Sequence, residues 1–225
     1  MSTPASRKVV SRRARPAKSP LSQDAIVTTA LELLSREGMT GLSLRKVAAA
    51  LDTGAASLYV YVADLNELHD LVLDRVLGEV ELPAGQAGDW RDRLKAVLRS
   101  YFGVLFARPG LAQVALSTIP SGPNTMALTE ALLSLLAEGG VDLLRAAWAV
   151  DLLSLQTAAV AAEQDNRRSQ DESECARVAE AIRSVSAERH PYIHTLGDEL
   201  VSGKGERHDW ALDVLINGVL STPRP

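Results

Sequence analysis

The residues of this chain whose types and spacing could do chemistry crowd into 43–68, SLRKVAAALDTGAASLYVYVADLNEL, and the chemistry they suit is recognition. Arg45 and Lys46 sit on one short segment; Ala55, Ala56 and Ser57 open the next, and Tyr59 and Tyr61 come after them. Small exposed side chains let the start of a short helix approach the floor of a groove, so the pattern is a DNA-reading device in outline. Groups for catalysis are scattered by comparison. His190 and His194 are four apart, which on one helix face would suit a metal, but Pro191 between them and the nearby glycines weaken that geometry. Glu163, Asp165, Asp171, Glu172 and Glu174 read as a solvated charge run. There is no paired acid motif of a metal-dependent lyase, no phosphate-cradling Gly-Lys-Ser/Thr and no Ser elbow. No catalytic residue, metal site or cofactor is therefore expected, and the chain is read as a non-enzyme.

The elements that must position the recognition residues can be placed by periodicity. Leu44, Val47, Ala48 and Leu51 recur at i, i+3, i+4 and i+7, so one face is apolar while Arg45, Lys46 and Ala49 look away. Asp52, Thr53 and Gly54 break the pattern; Asp and Gly tolerate unusual backbone angles, and Gly54 can cap the next helix. That segment, 55–61, is barely two turns long, with Leu58 and Val62 facing inward. Asp64 and Glu67 make a capping-box pattern opening a linking helix over 65–80. Upstream, Ile26, Ala30, Leu33 and Leu34 line a first helix that opens near Ser22 and ends at Gly38. The Pro/Gly stretch 83–88 is a natural hinge. Beyond it, helices are expected over 90–107, a short piece to Ser117, 126–138, 141–163, 175–186 and 206–220. A polar loop is expected around 165–173 and a mobile segment over 188–205. No period-two strand pattern appears.

Composition agrees with a helical protein of one small head and a core-bearing body: 225 residues, 46% of them hydrophobic. The net charge of −4 hides an asymmetry. Residues 1–20 hold Arg7, Lys8, Arg12, Arg13, Arg15 and Lys18 with no acid, leaving 18 basic and 28 acidic side chains in the rest. Positive charge beside the recognition segment suits an arm on phosphate or in a minor groove, while the acidic remainder is discouraged from lying along DNA. The alternative for the arm is a solubilising tail, given Pro4, Pro16 and Pro20. The single Cys175 excludes an internal disulfide. The N-terminus has no apolar h-region, and the apolar stretch 141–162 contains Asp142, Arg145 and Asp151, so neither a secretory signal nor a membrane span is expected. A cytoplasmic protein is the expectation.

The run Leu58-Tyr59-Val60-Tyr61-Val62, with the helix before it and Asp64-Leu65-Asn66-Glu67-Leu68 after it, resembles the TetR family of bacterial transcriptional repressors. Arg207-His208-Asp209-Trp210-Ala211-Leu212-Asp213-Val214-Leu215-Ile216-Asn217-Gly218 is similar to the last helix of the tetracycline-repressor branch. The resemblance is strong over 22–80 and looser over 89–206. It implies an all-α fold: a flexible basic arm (1–20), a three-helix DNA-binding head with a helix-turn-helix (21–66), and a helical effector-binding and dimerisation body (67–225) joined by a long helix. By the same resemblance Ser43 and Arg45, then Thr53, Ala55, Ala56, Ser57, Tyr59 and Tyr61, meet double-stranded operator DNA. Arg45 would fork onto a guanine edge, Ala55 or Ala56 pack on thymine methyls, and the tyrosine hydroxyls bond phosphates. Arg12, Arg13, Arg15 and Lys18 would add arm contacts. Many members carry Lys where this chain has Leu65, which leaves only the backbone amide to meet a phosphate there.

Two body helices must be covered on more than one side. The stretch 141–163 carries Leu143, Leu144, Trp148, Leu152, Leu155 and Val160; the last helix carries Trp210, Val214 and Gly218 on one side and Leu212, Ile216 and Leu220 on another. The resemblance makes these a four-helix homodimer interface, with Leu152, Leu155, Trp210, Val214 and Gly218 at the contact, presenting two heads to a palindrome. It also makes the protein a repressor released by a small, largely apolar effector, with Trp90, Phe102, Phe106, Met126, Trp148 and Gln156 as pocket candidates by type and location. The alternative is an effector-independent DNA-binding or scaffold protein whose body only dimerises. A cavity in the body separates the two.

Overall fold

The computed structural model describes residues 20–83, 85, 87–169, 172–202 and 206–224. The arm residues Arg12, Arg13, Arg15 and Lys18 lie outside the described residues, as does the Cys175 side chain. Among the described residues there is no strand, and eleven α-helices succeed one another in order: α1 (Gln23–Glu37), α2 (Leu44–Ala50), α3 (Ala55–Leu58), α4 (Leu65–Leu77), α5 (Trp90–Phe106), α6 (Leu111–Ser117), α7 (Pro123–Glu138), α8 (Leu143–Ser169), α9 (Glu172–Arg183), α10 (Pro191–Val201) and α11 (Glu206–Ser221). A 3₁₀ turn, Gly38–Gly41, joins α1 to α2.

Helix starts coincide with side chains that satisfy the first free amides. Ser22 Oγ accepts from Ala25 N (3.1 Å), Ser43 Oγ from Lys46 N (3.3 Å), Asp64 Oδ1 from Glu67 N (2.9 Å) and Asp89 Oδ1 from Arg91 N (2.7 Å). The periodic apolar faces form the interior. Ile26, Leu34, Leu58, Leu68, Leu73, Leu94, Leu98, Leu132 and Leu153 are fully buried, in one cluster that reaches from α1 to Val219 of α11. Head and body touch at Gly110, which starts α6 at φ 83°. A Cβ there would stand 3.0 Å from the Met39 amide and 3.3 Å from Leu34, so both the backbone angle and the approach call for glycine.

Several elements differ from the sequence expectation. The turn before α3 is as expected, with Asp52 taking the left-handed angle (φ 50°) and Gly54 capping α3 from an extended conformation; the differences lie elsewhere. The third helix is one turn long; the amides of Tyr61 and Val62 both close onto the Leu58 carbonyl (2.8 and 3.0 Å) and end it. Likewise α4 stops at Leu77, where tight turns carry Glu79 and Val80. Helix α7 starts at Pro123, three residues before the expected 126, since the missing N–H of proline falls where a helix has no partner to offer. Pro191 opens α10 in the same way, inside the segment read as mobile.

Helix α8 runs through the expected polar loop to Ser169 because its polar end has tertiary partners. Asp165 accepts from Gly110 N (2.7 Å), Asn166 from Gln113 (3.1 Å), and Arg168 donates to the Phe106 carbonyl (2.9 Å). By length and composition Leu143–Arg168 would pass for a membrane span, so Asp142, Arg145 and Asp151 do not exclude one by themselves. The core helix of a soluble protein meets the same criterion.

Candidate nucleic-acid interface and effector cavity

On the head, Ser43 is held by capping α2, and Arg45 projects from the first turn, exposed and without a hydrogen bond or ion pair among the described residues. Its neighbour Lys46 is committed to Glu37 (2.6 Å), whose carboxyl that hydrogen bond and charge hold below the usual carboxylate value. Ala56, Ser57 and Tyr59 lie on the outside around α3, with Tyr59 57% exposed; Val60 beside it is 81% exposed, an apolar surface residue that periodicity alone does not single out. Thr53 is half-buried, its amide bonded to the Ala48 carbonyl (2.9 Å). Ala55, Tyr61 and Leu65 are half-buried against the core, and the Tyr61 carbonyl accepts from Gln23 (3.2 Å). Glu67 reaches back to the Ala63 amide, one residue earlier than the Asp64 amide of a standard capping box. The exposed set is therefore Arg45, Ala56, Ser57 and Tyr59.

Helix α4 is tied on both sides. Arg75 pairs with Asp24 of α1 (2.7 Å). Asp74, buried, accepts from Thr125 N (2.8 Å), Thr125 Oγ1 (2.9 Å) and Asn124 Nδ2 (3.2 Å) at the start of α7. One turn earlier, Asp70 accepts from the amide and hydroxyl of Ser121 (both 3.0 Å). Gly122 has no side chain to cap α7, and a Cβ there would overlap the Asp74 carboxylate, so a residue of α4 caps α7 instead.

A cavity of about 750 Å³ opens between the end of α5, the C-terminal half of α8, the end of α10 and the start of α11. Phe106, Gln156 and Trp210 line it, with Glu163, Arg167, Arg168, Arg207 and His208. Phe102 stacks on Phe106 (5.4 Å, 21°) and tilts against His208 (5.2 Å). His208 is buried and, among the described residues, neither ring nitrogen has a partner; burial lowers its pKa, opposed by the charge of Asp209 and aided by that of Arg99. Of the six pocket candidates, Phe106 and Gln156 are on the wall and Phe102 backs it. Trp90, Met126 and Trp148 are elsewhere. Trp90, about 24 Å up α5 from Phe106 by helical rise, packs on Gly139; Met126 is exposed on α7; Trp148 is exposed with Arg224 over its ring (4.3 Å). The wall combines the apolar Phe106, Val160, Val201 and Trp210 with the charged Glu163, Arg167, Arg168 and Arg207.

Helix α11 is fastened to α5 by an antiparallel ladder: Arg91 to Asn217 (2.8 Å), Lys95 to Asp213 (2.9 Å) and Arg99 to Asp209 through two bonds of 2.8 Å. The matched four-residue spacing of cations on one helix and of two acids and an amide on the other is a signal present in the sequence, beyond the reach of motif and periodicity reading. With Leu212, Ile216 and Val219 turned into the core, the opposite side of α11 leaves Trp210 and Val214 exposed, with Gly218 half-buried. On α8, Leu144, Trp148, Leu152 and Leu155 form an exposed apolar stripe at helical spacing.

Residues 82–222 match the family model for the tetracyclin repressor-like C-terminal domain. The chain belongs to the TetR family. It is a DNA-binding transcriptional regulator, in keeping with an HTH-type transcriptional regulator of Saccharopolyspora erythraea that is 36% identical over 174 residues, 76% of this chain and 73% of that one. The transcriptional repressor DrrR1 of Streptomyces coeruleorubidus is 40% identical over 131 residues, 56% of this chain and about half (48%) of DrrR1. Among solved TetR-family structures, apo ActR of Streptomyces coelicolor superposes with a TM-score of 0.83 at 37% identity, over 90% of this chain and 98% of ActR. ActR has also been crystallised with (S)-DNPA and with actinorhodin.

Proposed function

We propose that this TetR-family protein is a homodimeric repressor that holds a palindromic operator and releases it when a small molecule fills the body. Residues 1–20 act as the arm, 21–66 as the reading head, and 67–225 as the effector-binding and dimerisation body. The observation that carries the reading is the cavity of about 750 Å³, within the size range of small-molecule sites, in a chain whose head exposes Arg45 and Tyr59. Ligands bound to ActR support the same reading. No catalytic step is assigned, and the protein works in the cytoplasm, where its DNA is.

Release needs a ligand with unequal affinity for two arrangements of head and body; a coupling of about 1–3 kcal/mol changes operator affinity roughly 5–150-fold. The contacts able to carry it are α4, bonded to both α1 and α7, and Gly110, which touches Met39 on one side and Asp165 beside the cavity on the other.

The reading is tested by selecting an operator in vitro and following its occupancy by fluorescence anisotropy. Arg45→Ala should cost about 1–3 kcal/mol and relax preference at one base pair per half-site, whereas Tyr59→Phe should weaken all sequences alike. Unchanged preference in Arg45→Ala removes that arginine from base reading. A body that binds compounds without ever altering operator occupancy returns the protein to the effector-independent class.

A further inference from the structure

We propose that the C-terminal tail is part of the subunit seam: a second copy of this chain seats on the exposed stripe of α8, and Arg224 of each copy pairs with Asp151 of the other. The proposal rests on the homodimer reading and adds the charge pair that aligns the two copies. The stripe is not wholly apolar. Leu144, Trp148, Asp151 and Leu155 follow at i, i+4, i+7 and i+11, so the Asp151 carboxylate leaves α8 on the same side as the exposed apolar side chains. It is exposed and, among the described residues, has no hydrogen bond or ion pair. Covering the stripe takes that carboxylate out of water, which is unfavourable unless a cation meets it there.

The cations of α8 and α11 nearest the stripe are already engaged. Arg145 pairs with Asp142 (3.1 Å) and donates to the carbonyls of Val219 (3.3 Å) and Leu220 (3.1 Å); Arg207, at the far end of α11, donates to the Glu199 carbonyl. Arg224 differs: it is exposed and, among the described residues, has neither hydrogen bond nor ion pair. Its place is set by the bonds of Arg145, which tie the last turn of α11 to the first turn of α8, and by Thr222 N, which extends α11 onto the Gly218 carbonyl (2.8 Å). From there the tail lays the Arg224 guanidinium 4.3 Å from the centre of the Trp148 ring, within the stripe. A guanidinium over a ring face keeps its in-plane donors available. It stands about one helical turn from Asp151 of its own chain without pairing with it. In a two-fold seam every contact is made twice, so two tails bring two cations to two carboxylates.

The test reads the dimer dissociation constant of the full-length protein by fluorescence-detected sedimentation, for Arg224→Glu, for Asp151→Arg and for an equimolar mixture of the two. Each variant alone sets like charges against each other in both copies of the pair and should dissociate at about a hundred-fold higher concentration than the parent. In the mixed dimer both pairs again join opposite charges, so the mixture should return to within about three-fold of the parent. Both side chains are exposed, and recovery in the mixture also shows that both chains are folded. Either variant dimerising as tightly as the parent, or more tightly, overturns the proposal. So does a mixture that stays weak; recovery only when both changes share one chain then assigns the pair to a single subunit. The seam itself is tested apart by Leu152→Glu with Val214→Glu. If that chain stays dimeric, the seam reading fails; if it dissociates while the charge variants do not, the seam stands and the pair falls.

Discussion

A chain carrying Leu152→Glu and Val214→Glu should sediment as a monomer of 24.1 kDa and bind its operator about a thousand-fold more weakly than the parent. Both side chains are exposed in the single subunit, 42% and 47%, so the changes leave the core intact. Their place in the stripe with Leu144, Trp148, Leu155 and Trp210 is what makes them costly in a dimer, where four carboxylates would meet in a desolvated apolar seam. A monomer engages one half-site and falls toward the sequence-independent range of affinity. Sedimentation velocity and anisotropy on one operator duplex measure the two effects on the same samples. A variant that stays dimeric takes the α8–α11 stripe out of the interface, and a monomer with undiminished operator affinity takes dimerisation out of DNA binding.

Asp74→Ala should lower unfolding stability by about 2–3 kcal/mol, a fall in Tm of roughly 5–10 °C for a chain of this size. The carboxylate serves the Thr125 amide, the Thr125 hydroxyl and Asn124 from a buried position, and alanine leaves these groups facing a gap that nothing nearby fills. Asp74→Asn keeps one acceptor oxygen and should lose about half as much. Gly122→Ala should resemble Asp74→Ala, because its methyl occupies the carboxylate's place and drives α7 from α4. Thermal and urea unfolding of the three variants give the ordering. If Asp74→Asn costs nothing, the charge is not what caps α7; if it costs as much as Asp74→Ala, the retained oxygen contributes nothing. Since α4 is also bonded to α1 through Arg75, a loosened α7 should weaken effector-driven release more than it weakens effector binding.

The features legible in residue order were local. Helix α1 is marked by Ser22 before an apolar period and Gly38 after it, and α2 by Ser43; each signal acts within one or two turns, where side chain and backbone meet whatever the rest of the chain does. The two recognition segments, their inward Val47, Ala48, Leu58 and Val62, and the apolar excess on α8 and α11 belong to the same class. The α8 continuation escaped for a complementary reason: Asp165 to Ser169 has no apolar period, and its helix is stabilised by Gly110, Gln113 and Phe106, more than fifty residues away along the chain.

The site divides along the same line. Sequence by itself determined the all-helical class, the reading head with Arg45 and Tyr59, and the two helices with apolar surface to spare, because periodicity and capping are nearest-neighbour physics. Tertiary structure alone decided that Asp74 caps another helix and that Arg45 has no partner among the described residues while Lys46 pairs with Glu37. It also placed Arg168, Arg207 and His208 around one cavity with Phe106, leaving Trp90, Met126 and Trp148 outside. A cavity wall is assembled from side chains whose separation along the chain is unrelated to their separation in space. Its charge and shape exist only once α5, α8 and α11 have packed.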